Sequence, residues 1–344
     1  MPPFRITAFF LFPLAAALAA GPTVVVPKNA AKPVGPYSPG LLAGDFLYVS
    51  GQGVRGADGA MPDGIEAQTR QCMENVKAIL EAAGLTMNHV VYTQVYVDRI
   101  ENLPAVDKVY RSYFQEPLPA RATIGVDRMP TDTTVEINAI AVRDPSRRRA
   151  FGKAEHAPAP AAMAVGSRLF VSGIYGRNRA EVEKQLASVL KEAGWSSAGA
   201  LLVNRYFVDG AEGNVPVKAL PANSSYGLTG VWTKATPRKA ANCRADGNTV
   251  FCEVTTGAGP DIEGQVATIF EQIGAGLQAF GMSFQNIAAS NVYLDNLDDF
   301  QRMNSKYGGF FTAAPPTRTT VQPAPRSSSG RKAPLVRISV IGVK

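Results

Sequence analysis

The sequence repeats itself at long range, and this constrains the fold more than its composition does. LYVSG at 47–51 returns as LFVSG at 169–173, each fed by a small turn, LLAGD and MAVGS. After the first copy, Ile65, Cys72, Met73, Val76, Ile79, Leu80 and Ala83 recur at helical spacing; after the second, Val182, Leu186, Val189, Leu190 and Ala193 do the same. That period buries one stripe of a helix. Both stretches stop at a glycine, Gly84 and Gly194, suited to a left-handed C-cap. An apolar strand follows each, VVYTQVYVD to Asp98 and ALLVNRYFVD to Asp209. A third copy is closer still. IEAQTRQCMENVKAILEAAG from Ile65 aligns with IEGQVATIFEQIGAGLQAFG from Ile262, without a gap over about sixty residues. The match carries Tyr110 onto Tyr307, Phe114 onto Phe311, and PARAT (119–123) onto PTRTT (316–320). Constant register over that length means duplication, and a period beyond that of solenoid repeats makes each copy a small domain.

The chain of 344 residues has room for two or three domains, and 46% hydrophobic with 18% charged residues is the balance of a folded protein. Residues 1–20 carry one Arg, an apolar core from Ile6, and Ala17-Leu18-Ala19, the pattern of a secretory signal with a small-x-small cleavage site. A periplasmic or secreted protein is expected, with no membrane association after cleavage; the rival is a signal retained as an anchor. The net charge of +7 is spread except for RDPSRRR at 143–149, which lacks the interleaved aromatics of a single-strand binder and reads as a solvated linker. No nucleic-acid partner is expected. The two histidines and three cysteines form no metal-like cluster and no His-based nucleophile system. No metal and no cofactor are expected, and any chemistry rests on Arg, Glu, Tyr, backbone and water.

The first unit spans 27–144. Strands are expected over 41–50, 90–97, 123–127 and 134–142, and helices over 65–83 and 103–114: an α+β sandwich of one sheet with two helices on one face. A basic linker is expected over 145–160. The second unit, 161–236, keeps strand, helix and strand, then loses the helical period after Asp209 in a Gly/Pro-rich stretch and reads as truncated. The third, 237–344, replaces LLAGDFLYVSGQG with CRADGNTVFCEVTTG and then runs helix, strand, helix and final strands. The rival division is one degenerate second domain from 161 with an insertion.

Four features of the first unit suit chemistry. VGPYSPG frames Tyr37; VSGQG ends a strand at Ser50 and Gly51; PARAT sets Arg121 at a strand start; TVEINAIAV sets Glu136 among apolar alternates. An Arg can hold a carboxylate with two parallel hydrogen bonds, and a Glu can orient it or position a water. Each also has a purely structural reading: a packed Tyr37, a solvent-facing Glu136, a surface ion pair for Arg121.

GPYSPG, LYVSGQG, IEAQTRQCMENVKAILEAAG, VDRIENLPAVDKVYRSYF, PARATIGVDRMP and VEINAIAV, in that order, resemble the Rid (YjgF) family of enamine and imine deaminases. The resemblance covers the first unit, the third from 262 to 320, and the second only to Asp209. It implies a chorismate-mutase-like fold, a trimer or an intrachain pseudo-trimer, sites in clefts between units, and cofactor-free hydrolysis of 2-aminoacrylate-type enamines and imines to a 2-oxo acid and ammonia. Carried over by position, the carboxylate-binding Arg falls on Arg121, the Glu on Glu136, the Tyr on Tyr37 and the Ser-Gly on Ser50 and Gly51; Thr123 takes a site-lining place. Asp107 stands where the family has Asn, a departure that sets an extra carboxylate against an anionic substrate. Arg318 and Asn304 keep the family residues in the third unit, where Arg337 replaces the Glu. One equipped site per chain is expected, built on Arg121 and Glu136, with Arg318 secondary unless clefts are shared. The alternatives are a ligand-binding or scaffold protein that keeps the fold without the chemistry, and an endoribonuclease.

A last expectation is local. If Gly247-Asn248 form a two-residue turn in NCRADGNTVFC, then Asp246 faces Thr249, Arg244 faces Phe251 and Cys243 faces Cys252 at disulfide distance. The competing Asp246-Gly247 turn sets Cys243 against Val250. Cys72 is expected as a reduced, buried helix residue.

Overall fold

The computed structural model describes residues 22–28, 30, 32–208, 213–325 and 334–344. The expected signal over 1–20 lies outside the described residues, among which no helix is long and apolar enough to cross a membrane. The first unit contains β1 (Thr23–Val25), β2 (Gly40–Ala43), β3 (Phe46–Gln52), α1 (Ile65–Ala82), β4 (Val90–Val97), α2 (Leu103–Arg111), β5 (Ala120–Gly125) and β6 (Val135–Val142). Its sheet runs β1-β2-β3-β6-β4-β5, with β4 and β5 the parallel pair. The Gly/Pro-rich lead-in adds β1, a strand too short to show a period.

The second unit contains β7 (Arg148–Phe151), β8 (Ala162–Val165), β9 (Arg168–Gly176), α3 (Arg179–Ala193), β10 (Ala200–Phe207), β11 (Val215–Pro216) and β12 (Tyr226–Thr233). The third contains β13 (Arg238–Ala240), β14 (Cys243–Asp246), β15 (Thr249–Thr256), α4 (Ile262–Gln278), β16 (Ile287–Leu294), α5 (Phe300–Gly308), β17 (Thr317–Val321) and β18 (Val336–Val343). Each unit makes one six-stranded sheet with the same strand order. Two corrections follow. The stretch expected as a basic linker supplies β7, which pairs with β8; Arg147 ion-pairs with Asp45 at 3.2 Å and Arg148 donates to the Pro117 carbonyl at 2.6 Å. The second unit keeps its whole sheet; among the described residues it has no second helix, and β11 is reduced to two residues.

The burial pattern of β4 explains how the units associate. Every residue of β4 is buried. Val90, Val95 and Val97 join the core under α1 and α2, while Val91, Tyr92 and Tyr96 join a second core shared by all three units. A strand covered on both faces shows no polar alternation, and β4, apolar but for Thr93 and Gln94, shows none. The shared core takes Met163, Phe170 and Tyr206 from the second unit and Phe251, Tyr293 and Val343 from the third. The three sheets meet cyclically: β17 lies against β3, β5 against β9, and β10 against β15. Near the middle, Asn138 donates to Gln94 at 2.9 Å and to Thr319 Oγ1 at 2.8 Å, and Tyr96 donates to Gln94 at 3.1 Å. These polar groups are buried but paired, as buried polar groups must be.

The local expectation about the third unit holds. Cys243 pairs with Cys252 and Asp246 with Thr249 in the β14–β15 register, and the two cysteines form a disulfide with Cα atoms 4.0 Å apart. Gly247 takes φ 56°, the left-handed conformation this turn requires. Cys72 is buried and free.

Candidate active site in the first inter-unit cleft

The cyclic arrangement creates three boundaries, and at two of them the edge strand of one unit runs beside the Ser-Gly strand of another, β17 beside β3 and β5 beside β9. At the first, β17 of unit three meets β3 of unit one. The ladder between β3 and β6 shifts register between Val49 and Gln52, so Ser50 and Gly51 sit on a bulge. Ser50 Oγ accepts from the Arg318 N–H at 2.9 Å and donates to the Ser38 carbonyl at 2.6 Å. Ser38 clasps the same neighbour, its N–H donating to Pro316 O at 3.1 Å and its hydroxyl to Pro315 O at 2.6 Å. The Ser-Gly strand end thus docks one unit's strand edge onto another's.

Behind this seam lies a cleft of about 430 Å³, lined by Tyr37, Gly51 and Glu136 of unit one and by Phe300, Arg318 and Thr320 of unit three. Gly51 is required by close approach: a Cβ there would lie 1.9 Å from Glu136 Oε1. The Glu136 carboxyl therefore stands directly over the strand end. Burial pushes its pKa up to about 8, against the downward pull of Arg318. Arg318 is only 4% exposed, and its Cζ lies 5.0 Å from the Tyr307 ring centroid and 5.6 Å from those of Tyr37 and Phe300. Burial lowers its pKa, with Tyr307, Tyr37 and Glu136 acting in the opposite sense. Burial also raises the Tyr37 phenol. Arg318 Nη1, both side-chain polar atoms of Asn304, and Thr320 Oγ1 are buried without a hydrogen-bond partner. Donors left unsatisfied in this way are costly unless a ligand meets them. A buried guanidinium caged by rings, facing a protonatable carboxyl, suits a small carboxylate with a second polar centre.

Arg121 is elsewhere. The expectation that it shares a site with Glu136 is overturned, because β5 is the edge strand of unit one and faces unit two. Arg121 N–H donates to Ser172 Oγ at 2.9 Å, and its guanidinium pairs with Asp107 at 2.7 Å, lies 4.6 Å from the Tyr110 ring centroid, and donates from Nε to Thr123 at 3.1 Å. The structure thus brings Tyr37, Ser50, Gly51, Glu136 and Arg318 together and puts Arg121, Asp107 and Thr123 into a different boundary. Sequence reasoning named Asn304 only as a retained family residue and did not single out Phe300 or Thr320, which line the cleft, or Tyr307, whose ring packs on Arg318. The signal was available in the gapless match of PARAT to PTRTT, which makes Thr320 the counterpart of Thr123.

The strand registers also locate the counterparts of Glu136. Glu136 lies opposite Tyr96, Gly227 opposite Tyr206, and Arg337 opposite Tyr293. At this position only unit one therefore carries a carboxyl. In unit three Glu253 follows the disulfide cysteine where unit one has Ser50, and it ion-pairs with Arg244. In unit two the sequence that follows β10, DGAEGNVP (209–216), contains no Arg. Among the described residues, no group of three or more His, Cys, Asp or Glu side chains is gathered as a metal would need.

The chain is a ring of three α+β units, with a buried Arg from one unit opposed to a buried Glu from another. The family model described as Endoribonuclease L-PSP matches residues 27–143 and 247–327, and the chain belongs to that family, which is the Rid (YjgF) family its sequence resembles. A RutC family protein of Pyrococcus horikoshii is 43% identical over 123 residues, 35% of this chain and 98% of the relative. A Salmonella typhimurium protein named 2-iminobutanoate/2-iminopropanoate deaminase is 41% identical over 123 residues, 35% of this chain and 96% of the relative. Among solved structures, the YjgF gene product of E. coli is 38% identical, covering 36% of this chain and 99% of that one, with a TM-score of 0.35.

Proposed function

We propose that the chain hydrolyses small 2-imino acids and their enamine tautomers at the boundary of units one and three, with one working site per chain. The observation that carries this reading is the opposition of Arg318 and Glu136 across two units, over a glycine with no room for a side chain. Arg318 binds the substrate carboxylate with paired charge-assisted hydrogen bonds, and Asn304 and Thr320 complete that end. This anchoring orients the C=N carbon and removes much of the entropic cost of meeting a water.

Glu136, with a pKa near 8, holds its proton at neutral pH. It gives that proton to the imine nitrogen, making an iminium and a carboxylate. The carboxylate then takes a proton from the attacking water, whose oxygen bonds to carbon to form a carbinolamine. A second transfer from Glu136 to nitrogen releases ammonia while the carboxylate takes back the hydroxyl proton, leaving the 2-oxo acid. A carboxyl tuned close to the operating pH serves both directions of transfer. The names of relatives such as the Salmonella protein support this class of substrate.

The test is a coupled assay in which an amino-acid oxidase generates 2-iminobutanoate and the rate of 2-oxobutanoate and ammonia release is followed with and without the protein. Acceleration lost on Glu136→Gln is the expected result; no acceleration by folded wild-type protein would refute the proposal. Cleavage of RNA by the same preparation, abolished by Glu136→Gln, would favour the endoribonuclease reading instead.

A further inference from the structure

The second boundary repeats the first with each opening filled from within. Ser172 docks the Arg121 strand as Ser50 docks the Arg318 strand, donating to Pro160 O at 2.6 Å. Beyond that seam the residues diverge in a coordinated way. After the Ser-Gly, unit one continues Gln52-Gly53, whereas unit two continues Ile174-Tyr175. The Tyr175 hydroxyl accepts from the Thr123 N–H at 2.6 Å and donates to the Thr123 carbonyl at 2.8 Å. A Cβ on Gly173 would lie 1.9 Å from that hydroxyl, so Tyr175 stands over Gly173 as Glu136 stands over Gly51. Its ring is accommodated by Gly227, the counterpart of Glu136, where a Cβ would lie 2.8 Å from Tyr175 Cδ1. The Arg is answered from inside too. Asp107 replaces the Asn found at the matching place in unit three and pairs with Arg121 at 2.7 Å, leaving Arg121 1% exposed, with Nη1 lacking a hydrogen-bond partner.

We infer that the second boundary is a carboxylate site held shut by two internal ligands: the Asp107 carboxylate on Arg121, and the Tyr175 hydroxyl on the main chain of Thr123. The wild-type chain then binds one small carboxylate, at Arg318, and removal of both internal ligands opens a second site of the same class at Arg121. This rests on the reading of the first cleft as a carboxylate site. Three substitutions relative to the open cleft act together here. Glycine at 227 makes room, tyrosine at 175 fills it, and aspartate at 107 neutralises the guanidinium. Any one alone would leave a gap, a clash or an unpaired buried charge.

The test is calorimetric titration of the full chain with 2-oxobutanoate as the probe. Wild type is expected to bind one equivalent and Arg318→Ala none. Asp107→Asn/Tyr175→Gly is expected to bind two, and the same pair of changes in the Arg318→Ala background one, lost again on Arg121→Ala. A folded Asp107→Asn/Tyr175→Gly protein that still binds one equivalent would overturn the inference, as would two equivalents in wild type. Failure of Arg318→Ala to abolish wild-type binding would instead refute the reading of the first cleft. A wild-type measurement guards against misfolding of the variants. Phenylglyoxal labelling with peptide mapping should modify Arg318, with protection by 2-oxobutanoate, and leave Arg121 unmodified. Ligand-protected labelling of Arg121 counts against the inference.

Discussion

Replacing Arg318 by Ala should remove turnover while replacing Arg121 should not. Among the described residues Arg318 makes no salt bridge, although Glu136 faces it across the cleft; its guanidinium is held by ring faces at 5.0–5.6 Å and its strand by the seam through its main chain. Truncation therefore breaks no ion pair and removes a cation that burial already disfavours. The stability change should be small, about 1–2 kcal/mol from lost ring contacts, offset by relief of desolvation. The loss in transition-state binding is larger. Two charge-assisted hydrogen bonds to a carboxylate in a water-poor site are worth about 3–4 kcal/mol together, or roughly 10²–10³ in kcat/KM. A second signature separates this from a packing defect. Arg318 holds Glu136 below the pKa that burial alone would set, so any residual activity should show its titration moved to higher pH.

Arg121→Ala behaves oppositely, stranding Asp107, which is 28% exposed and so partly rehydrated. A loss of about 2–3 kcal/mol in stability is expected, below the range for fully buried pairs, with kcat/KM unchanged. The assay is initial-rate hydrolysis of enzymatically generated 2-iminobutanoate, alongside urea denaturation. Abolished turnover in folded Arg121→Ala with activity near wild type in Arg318→Ala would refute the reasoning.

Three further outcomes are expected. The folded pKa of Glu136, about 8, lies above its ordinary 4.5, so the folded state keeps a proton that the unfolded chain sheds. Its stabilising contribution is full below pH 4.5 and is lost as pH rises through 8, and Glu136→Gln should flatten that decline in a Tm-versus-pH series; identical slopes would show that Glu136 titrates normally. Gly51→Ala places a methyl 1.9 Å from Glu136 Oε1 and should cut kcat/KM by roughly tenfold or more. Gly173→Ala, meeting Tyr175 at the same distance, should lower Tm with activity retained. Replacing Cys243 and Cys252 with Ser opens a short closed loop and should cost about 2–3 kcal/mol without changing kcat/KM, since the hairpin lies away from the cleft; non-reducing peptide mapping that finds two free thiols in wild type would remove the basis of that expectation.

Much of the fold was legible because it is local. The helical stripe from Ile65 is a matter of spacing, and α1 runs Ile65–Ala82. The pairing of Cys243 with Cys252 follows from where a two-residue turn falls, and the observed register matches it. The strand at Arg148–Phe151 was not legible, because a short edge strand pairs on one side only and its exposed arginines resemble a linker. Arg148 is fixed by carbonyls of unit one, a contact no local pattern encodes.

The candidate site divides the same way. The sequence by itself determined the duplication, the residue types and the counterparts: Arg121 with Arg318, Thr123 with Thr320, Asp107 with Asn304, Glu136 with nothing alike in the other units. It did not determine which Arg faces Glu136. Arg121 and Glu136 lie on strands of one sheet, fifteen positions apart in the chain, and proximity of that kind suggests a shared site. Only the closure of the ring decided otherwise. An edge strand must satisfy its outward N–H and C=O groups against something. Here β5 meets β9 and β17 meets β3, so each Arg is delivered to the unit next to its own. The partner of Glu136 is accordingly found 182 residues further along the chain, because the hydrogen-bonding demand of a sheet edge is answered in space and not in sequence.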